Sequence, residues 1–199
     1  MSSFQTKKIK LEKVENKEGI LYFVDYFKYK EADSLLVEIF CGFADGKKAL
    51  IVIDTDSFYD RKASATEQKI VSIKKELTEE RIEYREVIVK KEGNTSILGI
   101  KIPSSSKVNS YKLAIATTPE QIEKLMVMFH KYNVFCYIPD SDLEDAVLYD
   151  KFDQSRGNIE ELSGQFGIGL YNDSYFRRIR ISSNKDTIQI VREKLQKYE

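Results

Sequence analysis

Histidine is all but missing from this chain, and much familiar enzyme chemistry goes with it. His130 is the sole imidazole in 199 residues, so any Ser-His or Cys-His dyad has to use it. It follows Phe129 on the flank of an apolar helical stripe, where a structural role is the ordinary one. Cysteine is scarce as well. Cys41 and Cys136 lie far apart in apolar stretches and read as buried free thiols of a reducing compartment. Together with one histidine they are too few and too scattered for a zinc site. Net charge is zero, with 32 basic residues against 32 acidic, which removes the chain-wide pull on phosphate that nucleic-acid binders commonly show. No apolar run approaches the length of a membrane span. The opening MSSFQTKKIKLEK has charge but no apolar stretch behind it, so no secretory leader is expected and a cytoplasmic location is. Phosphate loops are lacking too. There is no Walker A pattern, and Gly167-Ile168-Gly169 has neither the third glycine nor the helix start of a dinucleotide fingerprint.

What is present is enough apolar material for one domain with a real core, since 42% of the residues are hydrophobic. The clearest signal is Tyr111–Pro139, which reads as strand, capped helix and strand. Thr118, Pro119 and Gln121 supply a capping box with proline at the first helical position. Ile122, Leu125, Met126, Phe129 and Tyr132 then follow at helical spacing before NVFCYIP returns as a strand. Such a crossover joins parallel strands of one sheet. Upstream, GILYFVDYFKYK, SLLVEIFCGF and KKALIVID read as an antiparallel meander, with Asp45-Gly46 as a hairpin turn. The middle run also matches helical spacing through Leu35, Leu36, Ile39 and Phe43, but its β-branched and aromatic content favours strand. Ser64 and Glu67 open a helix with Ile70, Val71, Lys74 and Leu77 on its core face, and a hairpin follows around Glu92-Gly93-Asn94. Ser141 and Glu144 box a helix carrying Leu143, Ala146 and Val147. FGIGLY and FRRIRIS pair across Asn172-Asp173, and Ser183 with Asp186 caps a last helix. The expected fold is therefore α/β to α+β: a mixed sheet with an antiparallel N-terminal meander, a βαβ crossover at 111–139, and four to five packed helices. Residues 1–18 are expected to be a flexible segment and 19–199 one domain, with 104–110 as a candidate subdomain boundary.

Acidic residues gather at the expected strand ends. ALIVIDTDSFYD closes a strand with Asp54 and Asp56, while Thr117, Asp140 and Asp173 end others. In open α/β sheets ligands sit outside the carboxyl ends of strands, and converging carboxylates there hold Mg²⁺. Asp is equally an ordinary turn residue. The DTD strand end resembles the first motif of haloacid-dehalogenase-like phosphatases. That resemblance implies Asp54 as nucleophile and Asp56 as acid/base, with Thr117, Lys151 and Asp173 at the later motifs. Asp25 in VDYFKYK and Glu38 in LLVEIF resemble the metal-binding acidic pair of restriction-endonuclease-like nucleases, although Phe40 stands where that pattern carries its lysine.

Arg177, Arg178 and Arg180 form the densest basic cluster, and Arg178 and Arg180 share one face of a strand. Two guanidiniums on one face suit a partner's carboxylates. With so little catalytic inventory, the first expectation is a non-catalytic interaction protein without a cofactor, docking another protein through an aromatic patch oriented by Arg178 and Arg180. The alternative is a Mg²⁺-dependent phosphoryl or phosphodiester hydrolase. It would use Asp54, Asp56 and Lys151, with metal held by Asp54, Asp56 and Asp173, or by Asp25 and Glu38.

Overall fold

The computed structural model describes residues 11–16, 19–25, 32–55, 63–97, 100–174 and 178–196. Its elements are β1 (Leu11–Asn16), β2 (Gly19–Asp25), α1 (Ala32–Ala44), β3 (Ala49–Asp54), α2 (Ala63–Glu79), β4 (Arg85–Ile97), β5 (Ile100–Thr117), α3 (Pro119–Phe129), β6 (Asn133–Ile138), α4 (Asp145–Gln154), α5 (Ile159–Gln165), β7 (Ile168–Asp173), β8 (Arg178–Ser183) and α6 (Ile188–Gln196). The strands form one sheet of eight in the order β1-β2-β8-β7-β6-β3-β5-β4, and neighbours along it run antiparallel. Helices and an antiparallel sheet in one chain make the class α+β.

Three layers follow from the burial pattern. ALIVID of β3 is buried at every position, as a central strand covered on both faces requires. Ala49, Ile51 and Ile53 join a core with α1, α2, α3 and α6, whereas Leu50 and Val52 join a second core with Leu148 and Phe152 of α4 and Leu162 of α5. Each large apolar side chain so buried contributes about 1.5–3 kcal/mol. The run β3-α2-β4-β5-α3-β6 has the βαββαβ element order of the ferredoxin-like split-βαβ motif. The terminal hairpins β1-β2 and β7-β8 extend the sheet on the β6 side, and β2 zips onto β8 from Ile20–Ser183 to Asp25–Arg178. Among the described residues, no helix is long and apolar enough to cross a membrane.

Several expectations need correction. The capped unit at 111–139 is present, with the Thr118 N–H donating to Gln121 Oε1 at 3.0 Å, but its strands do not pair. β5 and β6 run parallel on either side of β3, which lies between them and is antiparallel to both. The middle strand of the expected meander is α1, because Leu36, Ile39, Phe40 and Phe43 make one buried stripe at helical spacing. Asp45-Gly46 is accordingly no hairpin. Both residues take positive φ, 49° and 76°, and end α1 instead. The turn chemistry is the same; the flanking element differs. On α2 the buried face is Ile70, Ile73 and Leu77, with Val71 exposed; on α4 it is Leu148 and Phe152. Glu92-Gly93-Asn94 is a register shift inside the β4–β5 pair, and 104–110 lies within β5. The Asn184 Oδ1 accepts from the N–H groups of Asp186 and Thr187 in the turn that leads into α6. Of the segment expected to be flexible, residues 1–10 and 17–18 lie outside the described residues, and 11–16 is β1.

Candidate functional site

Strand direction decides which polar residues meet. Because neighbours are antiparallel, the carboxyl ends of β2, β3 and β7 share an end of the sheet with the amino ends of β6 and β8. Register carries one row across it: Lys112 opposite Asp54, Asp54 opposite Asn133, Asp173 opposite Arg178, and Arg178 opposite Asp25. Residues directly opposite share a face, and this one is the face that α4 and α5 partly cover.

Asp54 and Lys112 form an ion pair with Nζ 3.5 Å from Oδ2, each side chain about 10% exposed. The Ser110 hydroxyl donates to the other carboxylate oxygen at 3.3 Å. The turn after α4 closes over them. Gly157 has φ of +69°, and a Cβ there would stand 3.0 Å from Lys112 Cδ, so both the conformation and the close approach call for glycine. Thr55 ends β3 by exchanging bonds with Tyr111, its N–H donating to the Tyr111 carbonyl and its Oγ1 accepting the Tyr111 N–H, both at 3.0 Å.

Two asparagines lock the neighbouring strand ends. Asn172, fully buried, donates through Nδ2 to the carbonyls of His130 (2.7 Å) and Tyr132 (3.2 Å). Asn133 Oδ1 accepts from the N–H and hydroxyl of Ser174 at 3.3 and 3.1 Å. Asp173, nearly buried, lies 3.9 Å from Arg180 Nη2, whose side chain is 46% exposed. That guanidinium sits 5.4 Å above the Tyr171 ring. Tyr171 in turn stacks on Phe135 with centroids 4.2 Å apart and planes within 5°. Burial, then the Asp173 charge, pushes the Tyr171 phenol up to about 12. The row Phe135–Tyr171–Arg180 follows the β6–β7–β8 register, with Arg180 at its exposed end.

The other expected residues are dispersed. Thr117 and Asp140 lie at the opposite end of the sheet from Asp54, since β5 and β6 finish there: Thr117 Oγ1 donates to the Ala49 carbonyl, and Asp140 follows Ile138. Lys151 places its ammonium over the Phe166 ring at 5.7 Å; the cation at Asp54 is Lys112. Glu38 is exposed on α1, so it is not on a strand beside Asp25. Asp56 and Arg177 lie outside the described residues. His130 finishes α3 with Nδ1 3.0 Å from the Val127 carbonyl. Cys136 is buried, its thiol pushed far up by desolvation, and Cys41 is half-buried. Among the described residues, no three His, Cys, Asp or Glu side chains come together to hold a metal ion.

Lys112, Ser110, Tyr171 and Phe135 went unnoticed in the sequence. The one available signal was a charge inside the apolar run YKLAIA, at a position alternating with Ala114 and Ala116. No protein-family model matches this chain, no curated protein is similar to it, and no solved structure matches it.

Proposed function

We propose that the chain acts without catalysis, as an accessory protein that docks another protein on the sheet face at β7 and β8. Arg178 and Arg180 would meet carboxylates on that partner. The observation supporting this reading is the Phe135–Tyr171–Arg180 stack, which ends in a half-exposed guanidinium. Aromatic residues and arginine dominate interface energetics. A guanidinium held on a ring loses less rotamer freedom on binding than a free one. The neighbouring carboxylates already have cations of their own, Lys112 at Asp54 and Arg180 at Asp173. A hard metal ion would compete with both.

One observation favours a second reading, Mg²⁺-dependent phosphoryl or phosphodiester hydrolysis. Asp54 and Asp173 reach the same end of the sheet, and Lys112 beside Asp54 offers a charge for a phosphoryl oxygen. Mg²⁺ there would have to draw Asp54 away from Lys112.

Quantitative co-purification of the full chain from its own cells separates the two. A partner should be recovered with wild type, and lost with Arg180→Glu and with Tyr171→Ala under conditions where each variant remains folded. Recovery indifferent to Arg180→Glu contradicts docking. So does Mg²⁺-dependent cleavage of a phosphodiester by wild type that disappears in Asp54→Asn.

A further inference from the structure

The opposite end of the sheet holds a cleft of about 430 Å³, between the end of α1, the last residues of β6 and the start of α6. That volume is within the range of small-molecule sites. Its floor is apolar, with Phe43, Ile138 and Ile168 buried, and Ile190 of α6 leaves 41% of its surface in solvent at the wall. Ser183 stands directly opposite Ile168 across the β7–β8 pair. Its Oγ is buried and has no hydrogen-bond partner among the described residues.

Charge on the rim is unbalanced. Lys194 donates to Asp45 Oδ2 at 2.8 Å and to the Gly42 carbonyl at 2.9 Å, so these two charges offset each other. Asp140 and Asp186, both exposed, also line the cleft, against one further cation among the described residues, Lys47. Asp140 accepts a hydrogen bond from a neutral group, Asn184 Nδ2, at 3.4 Å. Its position is built in by Gly167, because a Cβ there would overlap Asp140 Oδ1. An apolar floor beneath a carboxylate held by a neutral amide, with a second carboxylate on the same rim, complements an ammonium group on an apolar body.

We infer that this cleft is a binding site for a small organic ammonium compound. The ammonium meets Asp140 and Asp186, and the apolar part rests on Ile138, Ile168 and Ile190. This site is separate from the Asp54–Arg180 end of the sheet and does not depend on the docking proposal.

Calorimetric titration of the full chain tests it with isoamylamine, leucine and isovalerate, which share one apolar body. Isoamylamine should bind saturably at a single site and isovalerate should not. Asp140→Asn should weaken the amine about fivefold, the upper end for a solvent-exposed ion pair. Gly167→Ala, which displaces the carboxylate, should abolish binding. In case that variant does not fold, Ile190→Ser at the half-exposed wall provides a second reading, with weaker binding at unchanged melting temperature. If leucine also binds and Lys47→Ala removes only leucine, the ammonium belongs to an amino acid; if leucine fails, it belongs to a simple amine. Absence of saturable amine binding, equal binding of isovalerate, or an Asp140→Asn variant of unchanged affinity overturns the assignment.

Discussion

Asp54 and Lys112 are directly opposed on neighbouring central strands, and each keeps only about a tenth of its side chain in water. Removing two charges from solvent costs several kcal/mol per ion, which their attraction offsets only when both are present. Lys112→Met would take the cation away from a buried carboxylate that keeps its hydrogen bond from Ser110. We expect that variant to lose about 3–5 kcal/mol in urea unfolding, with Asp54→Asn/Lys112→Met recovering much of the loss. Equal costs for the single and double variants would show that the pair is not coupled. Locally, the sequence displayed a strand-end aspartate and a lysine in an apolar run. That the two are partners depends on a register linking residues 58 positions apart, for which neither position carries a mark. Arg180 was easier to read. Period-two alternation placed it on one face with Arg178, and its ring partner Tyr171 follows once β7 and β8 pair.

At the scale of elements, capping and turn residues were more legible than element type. Thr118-Pro119-x-Gln121 opens α3, and Asp45-Gly46 provides two positive-φ residues in succession. SLLVEIFCGF, by contrast, satisfies strand length and helical spacing together, and a short apolar run cannot be assigned by periodicity alone. The deciding influence is tertiary: Phe40 and Phe43 bury on the sheet beside α3 only from a helix. A further consequence concerns the N-terminal hairpin. β2 covers the whole length of β8, so deleting residues 1–25 would bare a row of backbone donors and acceptors on a strand carrying Ile179 and Ile181. We expect the truncated chain to melt at lower temperature and to self-associate with rising concentration in sedimentation velocity. A monomer of unchanged melting temperature would mean that this hairpin is not integral to the sheet.

At the scale of the whole molecule, one topological fact redistributes every candidate residue. A parallel sheet would bring the carboxyl ends of all its strands together, and with them Asp54, Thr117, Asp140 and Asp173. The antiparallel sheet sends Asp54 and Asp173 to one end, and Thr117 and Asp140 to the other. Local sequence revealed the crossover at 111–139 but not that β3, more than fifty residues earlier, would insert between its two strands. The result is two separate polar regions: paired charges beside an aromatic row at one end, and an acid-rimmed apolar cleft at the other. On the docking proposal, Lys112 and Arg180 neutralise the carboxylates at the Asp54 end and no divalent ion binds there. Titration of the ¹⁵N-labelled chain with Mn²⁺, reading paramagnetic broadening of amide resonances, tests this most directly. Weak, unsaturated broadening with no preference for residues 54, 110–112, 133 and 171–174 is the expected result. Saturable broadening confined to those residues and lost in Asp54→Asn would contradict it.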